Sequence, residues 1–96
     1  MLQKILANVQ QAVRNGDYHM THHSSEEMAE DELTIFDIES ALLNGRITRK
    51  EKGFLYGPKY TIKGRGTDAQ TEIAVIGRFT ETKSFLIITL YKLAER

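Results

Sequence analysis

Three histidines, His19, His22 and His23, stand just ahead of Glu26, Glu27, Glu30 and Asp31. If a helix begins near His23, then His23, Glu27 and Asp31 share one face at four-residue spacing. A carboxylate beside an imidazole favours its protonated form and fixes its orientation, the pairing that general acid–base chemistry uses. The same stretch offers two other uses. His19, His22, His23 and Glu26 supply nitrogen and oxygen ligands of the kind that bind a metal. Ser24 or Ser25 can instead cap the helix, with Glu26 and Glu27 favourably placed near its positive end, which makes the cluster a solvated helix start.

A second set of candidates is basic. In the run from Lys59 to Arg65, alternation puts Lys59, Lys63 and Arg65 on one side of a strand and Tyr60 and Ile62 on the other. Next-but-one neighbours there are roughly 7 Å apart, close to the phosphate repeat of an extended single strand. Arg78 on the following strand can reach the same surface. Recognition of RNA also uses exposed aromatic rings for stacking; Tyr56 is a candidate, while Tyr60 alternates with the basic set and belongs with the core. Tyr91, with Thr89, falls on an apolar strand beside Phe85 and Ile87, where a core position is the simpler reading and a margin position would make it an acid, base or stacking platform. Gly64 and Gly66 lack the later glycine and lysine of a phosphate-binding loop. Ser24 and Ser25 lack the surroundings of a nucleophile elbow.

The charge is unevenly spread. Formal net charge is zero, yet residues 17–45 hold eight acids and no lysine or arginine, and residues 46–65 hold seven bases and the single acid Glu51. Such asymmetry predicts either a cationic surface that meets a polyanion or two blocks folded together as solvated ion pairs. The chain has no cysteine, which excludes disulfides, thiolate metal sites and cysteine nucleophiles and fits a reducing, cytoplasmic setting. No apolar run is long enough to span a bilayer, and Gln3, Lys4 and Asn8 break up any signal-like segment. Ninety-six residues suit one core, so residues 1–96 are read as a single domain.

These candidates must be positioned by a few elements. Leu2, Ile5, Leu6, Val9 and Val13 define an amphipathic helix ended by Gly16. Asp17 to Thr21 reads as a short extended piece, followed by a short helix offering Met28, Ala29 and Leu33 to a core. Thr34 caps a third helix with Ile35, Ile38, Ala41 and Leu42 inward, stopped at Asn44-Gly45. From Arg46 onward the period becomes two, giving an edge strand at 46–50, then strands from Pro58, from Thr71 to Phe79 and from Ser84 to Leu93. Helices first and strands second predict an α+β fold: N-terminal helices on a mostly antiparallel sheet of about four strands.

From Asp17 to Tyr91 the sequence resembles the family catalogued as domain of unknown function 4258. Tyr18, Thr21, His23, Ser24, Met28, Glu30, Leu33, Thr34, Asp37, Ile38, Ala41, Leu42 and Gly45 follow the order of its opening motifs. Tyr60-x-Ile62-x-Gly64, Ile73-Ala74-Val75-Ile76 and Ile87-Ile88-Thr89-Leu90-Tyr91 follow the later ones. That family is in turn similar to the RelE- and MqsR-like toxins of toxin–antitoxin pairs. The resemblance implies helices on a curved antiparallel sheet, the RelE/barnase-like plan. It also implies a metal-independent RNA endonuclease needing no cofactor, acting on single-stranded or ribosome-bound mRNA, with an antitoxin as protein partner and no membrane. On this reading His23 is the acid or base, Lys63, Arg65 and Arg78 neutralise the phosphate, and Tyr91 assists or stacks. The chain departs from the pattern at Glu27 and at Glu30-Asp31-Glu32, where the family carries arginines. The alternative function is a toxin-fold interaction module without catalysis, meeting a partner through the acidic helix face or a free sheet edge.

Overall fold

The computed structural model describes residues 1–53 and 55–93. Three helices, α1 (Leu2–Arg14), α2 (His22–Glu30) and α3 (Ile35–Asn44), and five strands, β1 (Tyr18–Met20), β2 (Arg46–Glu51), β3 (Lys59–Arg65), β4 (Glu72–Phe79) and β5 (Phe85–Lys92), form one α+β unit. The strands lie in the order β1-β5-β4-β3-β2. β2 to β5 are antiparallel neighbours, and β1 runs parallel to β5. The sheet is therefore mixed and five-stranded, against the expected four. The extra strand is the extended piece after α1, three residues long and too short to show a period.

The helix boundaries follow local chemistry. α1 ends with Gly16 at φ 69°, a left-handed turn that glycine adopts without penalty. α3 opens with a capping box in which the Thr34 side chain accepts from the Asp37 amide and the Asp37 carboxylate accepts from the Thr34 amide. α2 is capped by Thr21, not by Ser24 or Ser25: the Thr21 hydroxyl accepts from the Ser24 amide at 3.1 Å. Ser24 is fully buried, its hydroxyl on the Ile87 carbonyl, and so is spent inside the fold.

One face of the sheet takes α1 and α3. Val9, Ala12 and Val13 of α1, Ile38, Ala41 and Leu42 of α3, and Ile62, Ile73, Val75, Phe85, Ile87 and Leu90 of the strands make one core. Met28 and Leu33 pack at its margin, while Ala29 points to solvent. α3 lies so close to β3 that a Cβ on Gly64 would stand 2.0 Å from the Ala41 carbonyl oxygen, so only glycine permits the contact. Among the described residues, the opposite face carries no helix.

Two bulges decide which residues reach that open face. In β2, Ile47 pairs with Ile62 and Arg49 with Thr61, so Thr48 is the extra residue. In β5, Ile87 pairs with Gly77 and Thr89 with Ile76, so Ile88 is extra. Each insertion reverses the alternation beyond it. Arg49 is thereby turned to the open face. Leu90 is turned into the core, and Thr89 and Tyr91 are turned out. Tyr91, read from plain alternation as a core neighbour of Phe85 and Ile87, is instead 41% exposed.

Candidate functional site

The open face is ordered in rows by strand register. One row runs Arg46, Lys63, Ala74, Tyr91; the next toward the β3–β4 turn pairs Arg65 with Glu72. In the other direction lie Arg49, Thr61, Ile76 and Thr89, and then Arg78, Leu86 and His19. Ala74 is fully buried although it faces away from the helices, between the longer residues Lys63 and Tyr91 of its row. Lys63 and Tyr91 thus stand on either side of a small central residue, two strands apart, or roughly 10 Å between backbones.

Asn44 fixes the end of β3 where the bases gather. Its amide oxygen accepts from the Arg65 backbone N–H at 2.8 Å, and its amide nitrogen donates to the Arg65 carbonyl at 2.9 Å, with Ser40 donating to the same carbonyl. A cleft of about 780 Å³ opens here, lined among others by Ser40, Asn44, Arg46, Lys63, Arg65 and Glu72. Its size is that of a small-ligand pocket, but its charged rim suits an anion better than an apolar molecule.

The turn beyond it is held by two aspartates. Asp37 accepts from the amide and hydroxyl of Thr67 at 2.9 and 2.7 Å, as well as from Thr34. The Thr67 hydroxyl, joined by these other donors, holds the Asp37 carboxyl far below the usual range. Asp68 is likewise lowered, chiefly by the Thr71 hydroxyl.

α2 does not lie over the sheet but along the edge of β5 beyond the end of β1. Thr21 donates its amide to the Ile87 carbonyl and its hydroxyl to the Ile88 carbonyl. Glu27 accepts from the Leu90 amide at 3.1 Å and from the Thr89 hydroxyl at 2.5 Å, and Asp31 accepts from the Lys92 amide at 3.1 Å. Glu27 and Asp31 therefore satisfy backbone donors of the part of β5 that β1 does not reach. His23 sits one turn before Glu27, its Nε2 3.3 Å from the carboxylate, 68% exposed against 23% for Glu27.

The five candidate residues are thus distributed rather than gathered in one pocket. Lys63 and Arg65 share the cleft, Tyr91 lies in the row of Lys63, and His23 borders the face through Glu27 and Thr89. Arg78 is set apart, four residues along β4 from Ala74, with its guanidinium 4.7 Å from the Tyr56 ring centroid. Tyr56 is 69% exposed; Tyr60 is buried. Neither Arg65 nor Arg78 pairs with Glu27 or Asp31. Among the described residues the ion pairs are His22–Glu26 and His23–Glu27, so the acidic and basic blocks are not stitched together. The three histidines diverge as well: His19 is on the open face in the row of Arg78, while His22 and His23 each turn to their own glutamate. No group of three His, Asp or Glu side chains able to hold a metal is formed among the described residues. Sequence reasoning missed Arg46 and Arg49; the register of an edge strand and its bulge are the signals that reveal them.

A mixed five-stranded sheet with helices on one face and, among the described residues, bases along the other defines the domain as α+β. The chain belongs to the family described as Domain of unknown function (DUF4258), whose model matches residues 20–92. α1 lies outside that match. No curated protein and no solved structure gives a significant match to the chain. No helix among the described residues is long and apolar enough to cross a membrane.

Proposed function

We propose that this domain is a toxin-like, metal-independent RNA endonuclease of the RelE/MqsR type, working on the open face of its sheet in the cytoplasm. The observation that carries the reading is the row in which Lys63 and Tyr91 flank buried Ala74, with Arg65 beside it and His23 at its margin. In such a reaction a base removes the proton of an RNA 2′-hydroxyl, whose oxygen attacks the adjacent phosphorus. The 5′-oxygen leaves with a proton from an acid, giving a 2′,3′-cyclic phosphate and a 5′-hydroxyl. Lys63 and Arg65 neutralise the charge that develops on the phosphoryl oxygens. His23, oriented by Glu27, takes the acid or base step, and Tyr91 assists or stacks on a base. Arg78 and Tyr56, farther along the face, hold a flanking nucleotide. An antitoxin protein is the partner that this class implies.

The test is incubation of purified protein with a long single-stranded RNA in EDTA, and with translating ribosomes. Cleavage to cyclic-phosphate ends is expected, reduced at least about 100-fold in His23→Ala and in Lys63→Ala/Arg65→Ala, both still folded by circular dichroism. Losses of that size match one general acid–base group or one charge-stabilising group. Unchanged cleavage in His23→Ala removes its assignment. No cleavage in either setting leaves the second reading, a non-catalytic interaction module, which is favoured by one specific observation. Glu27 is committed to the Thr89 hydroxyl and the Leu90 amide, and so serves the scaffold.

A further inference from the structure

Arg46 and Lys63 are directly opposite each other on neighbouring strands, an arrangement of like charges that ordinarily weakens a sheet. Arg49 adds a third charge. It reaches the same face only because the bulge at Thr48 shifts the alternation, and it then stands opposite Thr61, two residues along β3 from Lys63. The other bases of the face differ in what stands opposite or over them, although among the described residues they too form no ion pair within 4.0 Å. Lys59 is opposite Glu51, Arg65 is opposite Glu72, and Arg78 stands over the Tyr56 ring. Arg46, Arg49 and Lys63 have no carboxylate opposite them and, among the described residues, none within 4.0 Å.

Protection of an edge strand from aggregation does not account for this placement, because bases on either face serve that purpose. Lys50, opposite Tyr60, already supplies one on the other face. The bulge instead gathers two bases of β2 beside Lys63, and the rows they occupy are roughly 7 Å apart, which suits consecutive phosphates of an extended single strand.

We infer that Arg46, Arg49 and Lys63 form a phosphate track that binds the backbone of a single-stranded nucleic acid, entering the face across the β2 edge. This deepens the RNA reading proposed above and rests on it for the choice of ligand. The track holds successive phosphates by charge, without reading bases, and delivers the strand toward Arg65 and Tyr91.

The test measures binding, separately from cutting. A 12-nucleotide RNA methylated at every 2′-oxygen cannot be cleaved by its own 2′-hydroxyl, so failure of catalysis does not affect the result. Its affinity is followed by fluorescence anisotropy from 25 to 200 mM salt. Arg46→Ala/Arg49→Ala is expected to weaken binding at least tenfold at low salt and to flatten the slope of log K against log salt by about 1.4, or about 0.7 for each phosphate no longer neutralised. Lys4→Ala/Lys50→Ala, which removes the same charge from α1 and the other face of β2, is expected to leave the slope unchanged. Equal losses in both double variants would reduce the effect to bulk charge and overturn the track. So would absence of binding by the wild type, equal binding of inorganic pyrophosphate, or equal binding of a 12-residue poly-glutamate peptide. Those last two would identify free polyphosphate or an acidic protein as the ligand.

Discussion

At one edge of the sheet, β2 has no further strand beyond it among the described residues and carries Arg46, Arg49 and Lys50. At the other, β1 covers only the start of β5, and α2 continues the cover with side chains: Thr21 and Ser24 donate to carbonyls, and Glu27 and Asp31 accept from amides. Both are recognised ways to keep a strand from pairing with a foreign one. They differ in what they leave available. The covered edge uses its acids internally, whereas Arg46 and Arg49 of the charged edge have, among the described residues, no carboxylate within 4.0 Å. An acid at position 27 or 31 is therefore not equivalent to a surface acid that repels RNA, since its charge is held by strand amides.

The sharpest way to break this comparison is to uncover the β5 edge. Glu27→Ala should destabilise the domain by about 2 kcal/mol, because the Leu90 amide loses its acceptor. In a domain of this size that lowers Tm by about 10 °C. Glu27→Gln, which keeps an acceptor, should lose less than half as much. Equal loss in both variants would show that charge, and not edge satisfaction, is what Glu27 provides.

A control away from both edges is Asp37, which ties α3 to the β3–β4 turn. Its pKa is lowered in the folded state, so its stabilising contribution is full above the ordinary carboxylate range and disappears as pH falls through the lower folded value. Asp37→Asn should cost about 1 kcal/mol at pH 7, the scale of a helix cap. The difference from wild type should shrink steadily in thermal melts taken from pH 5 toward pH 2.

The smallest effect sharpens the contrast through its sign. Arg46→Ala/Arg49→Ala should leave stability unchanged or raise it by up to about 0.5 kcal/mol at low salt, since a like-charge cross-strand pair is relieved. A Tm below that of wild type would mean that the charged edge is structural after all.

Periodicity makes the two halves of the fold legible, along with the Thr34 cap, the inward stripe of α3 and the basic side of β3. The extended piece at Asp17 to Thr21 is legible too, but not its place in the sheet: Tyr18, His19 and Met20 are too few to display a period and acquire a partner only 67 residues later. The positions of Arg49, Thr89 and Tyr91 are hidden for a different reason. Simple alternation runs straight through Thr48 and Ile88, where the strands each spend one residue on a bulge. Thr21 is obscured as a cap because two serines three and four residues later offer the same chemistry, and only tertiary contact shows that Ser24 lies within the helix and is occupied by β5. The separation of acidic and basic blocks is plain in the sequence, but whether they pair depends on which edge each block finishes.

The location of β5 between β1 and β4 also governs the order of assembly. β1 has β5 as its strand partner, and α2 rests on that same strand, so neither has a surface to dock on until residues 85–92 have been made. Phe85, Ile87 and Leu90 of the core come from this strand, which has to enter between β4 and β1. Folding of this domain is thus governed by long-range closure, slow relative to its local helices and hairpins. A chain shortened before Phe85 would lose more than an edge, because the interior strand on which β1 and α2 rest would be missing.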